Sequence, residues 1–316
     1  MLWFINIKNS SLLNNYMQLI YKIIYNSTIN KLLRRINYTI RNYIPNKIKL
    51  PPSGILKLKT DSGYIKIATN QTSYLTQLLY WNGYKNFEYS EIFEKLSKDI
   101  NVFLDIGSNI GYYSLLAATS NPNIKAYAFE PALGPKHYLK QNISKNKLQA
   151  QIKNIDVAIS NTSGNIDFYE VENVKYKYLK YNLAGEGNAG TKTTSRNFIK
   201  NTVKAITLKD FVKNEGIKNI DLIKIDTEGT EIDILNSGSA IIKQHEPIVI
   251  CETLFNTIEN ELDTFFKELD YLFYNHTKQG LVKVDTLKRI EDDGIRNCFF
   301  VPKSKIDLVS EFISKN

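Results

Sequence analysis

Three carboxylates crowd one turn in the stretch Lys224-Ile-Asp-Thr-Glu-Gly-Thr-Glu231: Asp226, Glu228 and Glu231. Like charges held close raise one another's pKa, which is one way to make a general base. The same oxygens would suit a hard divalent cation, although no residue is assigned as a metal ligand. Acids also favour a helix N-terminus. Glu231 fits that structural role, whereas Asp226 and Glu228 precede the helix and read as proton-handling candidates.

A second group lies in Phe103-Leu-Asp-Ile-Gly-Ser-Asn-Ile-Gly111. Gly107 and Gly111 allow the backbone to pass close to a ligand, with Ser108 and Asn109 between them. The helix that follows directs its first amides at the same place. The spacing is Gly-x-x-x-Gly, so the Gly-x-Gly-x-x-Gly fingerprint of dinucleotide binders is absent. Asp105, at the entry to the loop, suits a cofactor that carries positive charge. Glu130 follows 25 residues later at the end of the next strand, before Pro131, where a carboxylate can accept both hydroxyls of a ribose. Asp156, Val157 and Ala158 end a third strand, where Asp156 could meet an amino group and the other two an apolar ring. His276 and Glu252 are competing candidates for proton acceptor on the acceptor side.

These residues need strand ends to carry them. From residue 101 apolar runs alternate with helical stretches: strands at 102–106, 126–130, within 150–159, 222–226, 248–252, 280–284 and 298–301, with helices between. That order predicts an α/β fold, a doubly wound seven-stranded mostly parallel sheet, with ligands at the carboxyl ends of its strands. Residues 171–204 interrupt the pattern with glycines, lysines and hydroxyl residues, and read as a substrate-side insertion. Ile55–Lys59 and Tyr64–Ala68 alternate around Asp61-Ser-Gly63, a hairpin signal. Helical material follows over 76–96. The expected organisation is an arm (1–52), a small hairpin-plus-helix cap (53–100) and the main domain (101–316).

The formal net charge is +9. Residues 1–59 contain ten Lys or Arg and no acid, so that segment carries +10 and the rest of the chain nets −1. Leu12, Tyr16, Leu19, Ile20, Ile23 and Ile24 fall on one helical face, loosely extended by Tyr25 and Ile29. A basic amphipathic helix packs on the body, self-associates or lies on an anionic membrane surface; all three stay open here. Nucleic acid is not expected, because the charge forms no stripe across the body. No run reaches the ~18 apolar residues of a membrane span, and no export signal is read. Cys251 and Cys298 sit in apolar strands and read as buried thiols. A cytoplasmic protein, at most peripheral at the inner membrane face, is the expectation.

Over residues 100–302 the sequence resembles the FkbM family of class I S-adenosylmethionine-dependent methyltransferases. The resemblance rests on Phe103–Tyr113, Ala128-Phe-Glu-Pro131, Val157-Ala-Ile-Ser160 with Gly164, Ile206–Phe211, Pro247–Glu252 and, above all, Asp221-Leu-Ile-Lys-Ile-Asp-Thr-Glu-Gly-Thr-Glu231. Thr227 and Thr230 stand where the family usually has Val and Ala. The resemblance implies a Rossmann-like methyltransferase with S-adenosylmethionine as cofactor. It implies methylation of a hydroxyl, on a sugar of a surface glycan or a natural product; a few relatives methylate peptide side-chain nitrogen. An NAD-linked oxidoreductase and a non-catalytic S-adenosylmethionine-binding protein are the competing classes. A nucleic-acid methyltransferase is disfavoured by the absence of an Asn-Pro-Pro-Tyr-like motif at the fourth strand end. Residues 1–100 and 171–204 lie outside these motifs and are where acceptor choice is expected.

Overall fold

The computed structural model describes residues 14–43, 49–184, 197–227 and 229–314. A helix over residues 14–24 (α1) and α2 (Ser27–Thr39) form the arm. Strands β1 (Gly54–Lys59) and β2 (Tyr64–Thr69) pair as the expected antiparallel hairpin. The helical material expected over 76–96 comprises two α-helices, α3 (Tyr74–Asn82) and α4 (Ser90–Leu96). Gly83 ends α3 with φ 80°, a conformation that costs glycine nothing and ends the helix.

The main domain then runs β3 (Val102–Ile106), α5 (Tyr112–Ser120), β4 (Lys125–Phe129), α6 (Leu133–Asn146) and β5 (Ile152–Ile155). Next come β6 (Ala158–Ile159), β7 (Gly164–Val171), β8 (Phe198–Ile206), α7 (Leu208–Glu215) and β9 (Leu222–Ile225). After α8 (Glu231–Ser237) and α9 (Ser239–His245), the chain ends with β10 (Ile248–Glu252), α10 (Glu259–Glu268), β11 (Tyr271–Thr277), β12 (Gly280–Val284) and β13 (Asn297–Pro302).

The central sheet has the order β12-β11-β13-β10-β9-β3-β4-β5. β10, β9, β3, β4 and β5 are successive parallel neighbours, and β13 and β12 run antiparallel to theirs. This is the doubly wound, mostly parallel architecture expected, with eight strands rather than seven. The extra one, β11, mixes Tyr, Asn, His and Thr among its apolar residues, so it has no clean apolar period. The expected third strand over 150–159 divides into β5 and β6, because the chain leaves the central sheet between them. β6 joins β8 and β7 in a separate three-stranded sheet. Much of the segment read as irregular therefore belongs to an antiparallel pair, registered from Gly164 opposite Ala205 to Val171 opposite Phe198. Residues 185–196 of that insertion lie outside the described residues.

Both faces of the central sheet are buried, which is why its strands are apolar throughout. Phe103, Ile250 and Phe299 point to a cluster with the cap and α5, including Phe93 and Leu115. Leu104, Val249 and Phe300 point the other way, onto α7, α8 and α10 through Phe211, Ile234 and Phe266. The hairpin is fastened to the domain by asparagines: Asn142 and Asn146 of α6 accept from the Ala68 and Lys66 amides at 2.6 and 2.8 Å. Cys251 and Cys298 are buried free thiols, as expected. The expected helix over 231–243 breaks at Gly238, where a Cβ would come within 2.5 Å of Leu208.

Candidate active site

The loop after β3 is folded onto β4 and β9 by its own backbone. The Gly107 and Ser108 amides both donate to the Phe129 carbonyl, at 3.2 and 2.9 Å, and the Asp226 amide donates to the Ile106 carbonyl at 3.1 Å. Gly107 has φ 76°, and a Cβ there would sit 1.9 Å from the Asp226 carbonyl oxygen. Only glycine satisfies both conditions. The loop thus turns sharply between two strand ends and opens a cleft above them.

Glu130 organises one wall. Its two carboxylate oxygens each accept one backbone amide, from Asn109 and from Ala132, both at 2.8 Å. Burial pushes its carboxyl up to about 8, although both amides favour the charged form. Each oxygen keeps a lone pair for a further donor. Gly107, Ser108, Asn109, Glu130, Val157 and Ala158 all line the cleft, so the structure brings these expected residues together. Ser108 Oγ and Asn109 Oδ1 are buried without a protein partner, a sign of unmet hydrogen-bonding capacity at a ligand wall.

Three expected contacts fall elsewhere. Asp156 is held by Lys140 at 2.5 Å and by the Asn154 amide, outside the cleft. It stands where the chain turns out from β5 towards β6, so its carboxylate is drawn to α6. Asp105 does not line the cleft either: it is fully buried and accepts from the Ser114 amide at 3.2 Å and hydroxyl at 2.6 Å. It fastens the first turn of α5 and so supports the loop from below. Gly111 begins α5 at φ 84° against Leu139 rather than at the wall.

At the floor lies a cluster of charged groups. Lys224 is 4% exposed, and its Nζ stands 3.2 Å from Asp226 Oδ2, 3.4 Å from the Gly107 carbonyl and 3.9 Å from Asp105 Oδ1. Burial alone would lower the Lys224 pKa, but Asp226, Asp105 and Glu88 outweigh it and hold the ammonium charged. Glu88 comes from the cap, between α3 and α4, and accepts the Tyr113 hydroxyl at 2.6 Å. Its side chain is exposed into the cleft rather than packed in the core; the protein crowded around it still hinders its hydration and raises its pKa, with Asp226 adding to the rise. Its backbone is left-handed, φ 43°. A non-glycine residue held in that region costs about 1–3 kcal/mol and is commonest where function requires it.

Of the four expected proton-handling residues, only Asp226 is seen in the cleft. Glu228 lies outside the described residues. Glu252, at the end of β10, and His276, on β11, do not line it. His276 packs edge-on against Tyr89, which itself stacks on Tyr113 at 4.8 Å, and burial lowers the pKa of its imidazole. Glu231 stands in the first turn of α8 as expected, but it closes the turn before the helix, accepting from the Thr227 and Gly229 amides at 3.0 Å, rather than capping helical amides. Among the described residues no group of three or more His, Cys, Asp or Glu is arranged to hold a metal ion. Sequence reading missed Glu88, Tyr113 and Lys224. The last two belong to recognised motifs but were not singled out, and nothing near Glu88 in the sequence marks it.

The family model "Methyltransferase FkbM domain" matches residues 105–277, more than half of the chain. This chain belongs to the FkbM methyltransferase family. The methyltransferase is similar to "Methyltransferase sdnD" of Sordaria araneosa, 29% identical over 174 residues, covering 47% of this chain and 67% of that protein. It is also similar to "AMB antimetabolite synthetase AmbE" of Pseudomonas aeruginosa, 26% identical over 163 residues, or 42% of this chain but only 7% of that protein. The solved structure of Methyltransferase FkbM from Methylobacillus flagellatus KT aligns with a TM-score of 0.41 at 12% identity, covering 64% of this chain and 44% of that one. S-adenosylmethionine is the cofactor of FkbM-type methyltransferases. The residues of the cleft fit it: a carboxylate with two free lone pairs, two unpartnered buried oxygens, and a glycine turn that leaves room for the ligand. The arm and the cap that supplies Glu88 lie outside the matched region.

Proposed function

We propose that this FkbM-family methyltransferase methylates a hydroxyl group, on a sugar of a surface glycan or on a natural product. The observation that carries the reading is the Glu88–Tyr113 pair beside Lys224 and Asp226, a proton-accepting site in the same cleft as the cofactor wall. A hydroxyl acceptor must lose its proton as its oxygen is methylated, and a carboxylate of raised pKa is a suitable acceptor for it.

Glu130 would hold the ribose hydroxyls of S-adenosylmethionine, Ser108 and Asn109 its polar edge, and Val157 and Ala158 the adenine ring. When bound, the cofactor supplies a methyl carbon activated by its sulfonium. Asp226, fixed by Lys224, contributes negative charge facing a cationic ligand. Glu88 takes the acceptor proton, with Tyr113 holding its carboxylate in place. Alignment of the acceptor oxygen is the chief demand on the protein, and the cap together with Val171, Asn182 and Ala184 borders the cleft where that choice would be made.

The test is a turnover screen with S-adenosylmethionine against glycan and small hydroxyl acceptors, with mass spectrometry locating the added methyl. A product methylated on oxygen is expected. Methylation of a peptide side-chain nitrogen, or tight cofactor binding without turnover on any acceptor, would overturn the reading.

A further inference from the structure

The arm is attached by its polar side. The buried residues of α2 are Asn30, Arg34 and Asn37, spaced i, i+4 and i+7 on one face. Arg34 donates to the Ser53 and Ile55 carbonyls, both at 3.0 Å. Asn30 accepts the Ser53 amide at 2.8 Å, and Asn37 accepts the Leu50 amide at 2.9 Å. The apolar side of α2 is therefore not its packing side. Leu32 and Ile36 stand on it, 61% and 49% exposed.

α1 repeats the arrangement. Its body-facing contacts are the Gln18 side chain donating to the Lys175 carbonyl at 2.9 Å and Tyr21 edge-on to Tyr176. Tyr16, Leu19, Ile20 and Ile23 form an exposed stripe instead. Ten of the 17 large apolar side chains exposed among the described residues lie within residues 14–43. Scattered exposed apolar residues are ordinary, but a concentration of this kind marks an interaction surface.

Charge selects the occupant. Lys31 and Arg35 are exposed on α2, Arg41 is exposed just past its end beside Tyr38, Lys22 of α1 is exposed with its ammonium over the Tyr178 ring, and no acid precedes Asp61. A second copy of the arm, residues 1–52, would bring the same +8 against it, so self-association through this face is opposed. The first thirteen residues carry Lys8 and no acid, so they offer no neutralisation either. A surface that is both apolar and negatively charged meets both demands. We propose that α1 and α2 dock this protein on an anionic lipid bilayer, with the apolar stripes at the boundary of headgroups and acyl chains and the cations among the headgroups. No helix among the described residues is long and apolar enough to cross a membrane, so the attachment is peripheral.

The experiment is co-sedimentation of the full chain with vesicles of phosphatidylcholine alone or with about one-third phosphatidylglycerol. Binding is expected only to the anionic vesicles, and it should weaken at least about tenfold as salt rises from 0.1 to 0.5 M, because added salt screens the headgroup charge. The double substitution Leu32→Ser/Ile36→Ser and the double substitution Lys31→Glu/Arg35→Glu should each weaken it at least about tenfold. Unchanged thermal unfolding and S-adenosylmethionine affinity show that the variants remain folded. The proposal is overturned if wild-type protein ignores anionic vesicles or if the variants bind as well as wild type. It is equally overturned if sedimentation shows a dimer that Leu32→Ser/Ile36→Ser dissociates while vesicles are not bound.

Discussion

Glu88 and Tyr113 meet across 2.6 Å, joining a residue of the cap to the first turn of the helix that follows the cofactor loop. Replacing Glu88 by Gln should lower turnover by about a hundredfold or more, the lower end of what a positioned general base contributes. The dissociation constant for S-adenosylmethionine should stay within about threefold, because Glu88 lies outside the wall built on Glu130. Single-turnover rates and calorimetry separate the two effects. Equal losses in affinity and rate would place Glu88 in cofactor binding instead.

The same pair gives a pH dependence. Hindered hydration raises the Glu88 pKa, and the base acts in its ionised form. The rate should therefore rise with pH along an acidic limb displaced upwards from that of an exposed carboxylate. Tyr113→Phe removes a hydrogen bond that favours the ionised form, so the limb should move to higher pH with partial loss of rate. A limb left in place by both Glu88→Gln and Tyr113→Phe belongs to another group.

Glu130 makes a second, separable prediction. Its carboxyl stands at about 8 in the free protein, well above the ~4.3 of an exposed Glu. Ribose hydroxyls donating to it favour the charged form, so binding should release up to one proton below pH 8. Calorimetry in buffers of different ionisation enthalpy measures this directly. Glu130→Ala should weaken cofactor binding by about 10²–10⁴-fold, since two charge-assisted hydrogen bonds of about 1.5–3 kcal/mol each are lost.

Three glycines rank by what surrounds them. Gly107→Ala places a Cβ 1.9 Å from a backbone oxygen in a left-handed turn, and should cost about 3 kcal/mol or more along with cofactor binding. Gly111→Ala meets the Leu139 side chain at 2.4 Å, which can shift, so the loss should be smaller. Gly216→Ala has nothing within 4 Å and only its φ of 63° to satisfy, about 1–2 kcal/mol. Denaturant unfolding of the three should return that order.

Asp156→Ala should change S-adenosylmethionine affinity by less than about twofold. Its carboxylate is engaged by Lys140 in an exposed ion pair, a contact worth about 0–1 kcal/mol. His276→Ala should likewise leave the pH profile of the rate where it was, because His276 does not line the cleft and packs against Tyr89 instead. A shifted profile would bring His276 back into proton transfer.

The sequence by itself determined the alternation of strand and helix, the left-handed glycine turn, the acid at the end of β4 and the family. Each of these is local: a buried strand needs an unbroken apolar run, and a sharp turn under a ligand needs residues without a Cβ. Position 238 shows the limit, since only the packing of Leu208 from α7 shows that no Cβ could stand there. β11 escaped notice for a related reason, its burial coming from β13 rather than from its own pattern. What only the tertiary structure decided was which charges share a space. Asp156 sits one residue before Val157, yet its carboxylate points to Lys140 while Val157 lines the cleft. Glu88 is 25 residues from Tyr113 and more than a hundred from Lys224 and Asp226, and only the docking of the cap on the sheet makes them one cluster. The arm's amphipathic pattern was likewise legible, but not its direction. The polar bonds of Asn30, Arg34 and Asn37 to the chain at 50–55 turn its apolar face outwards.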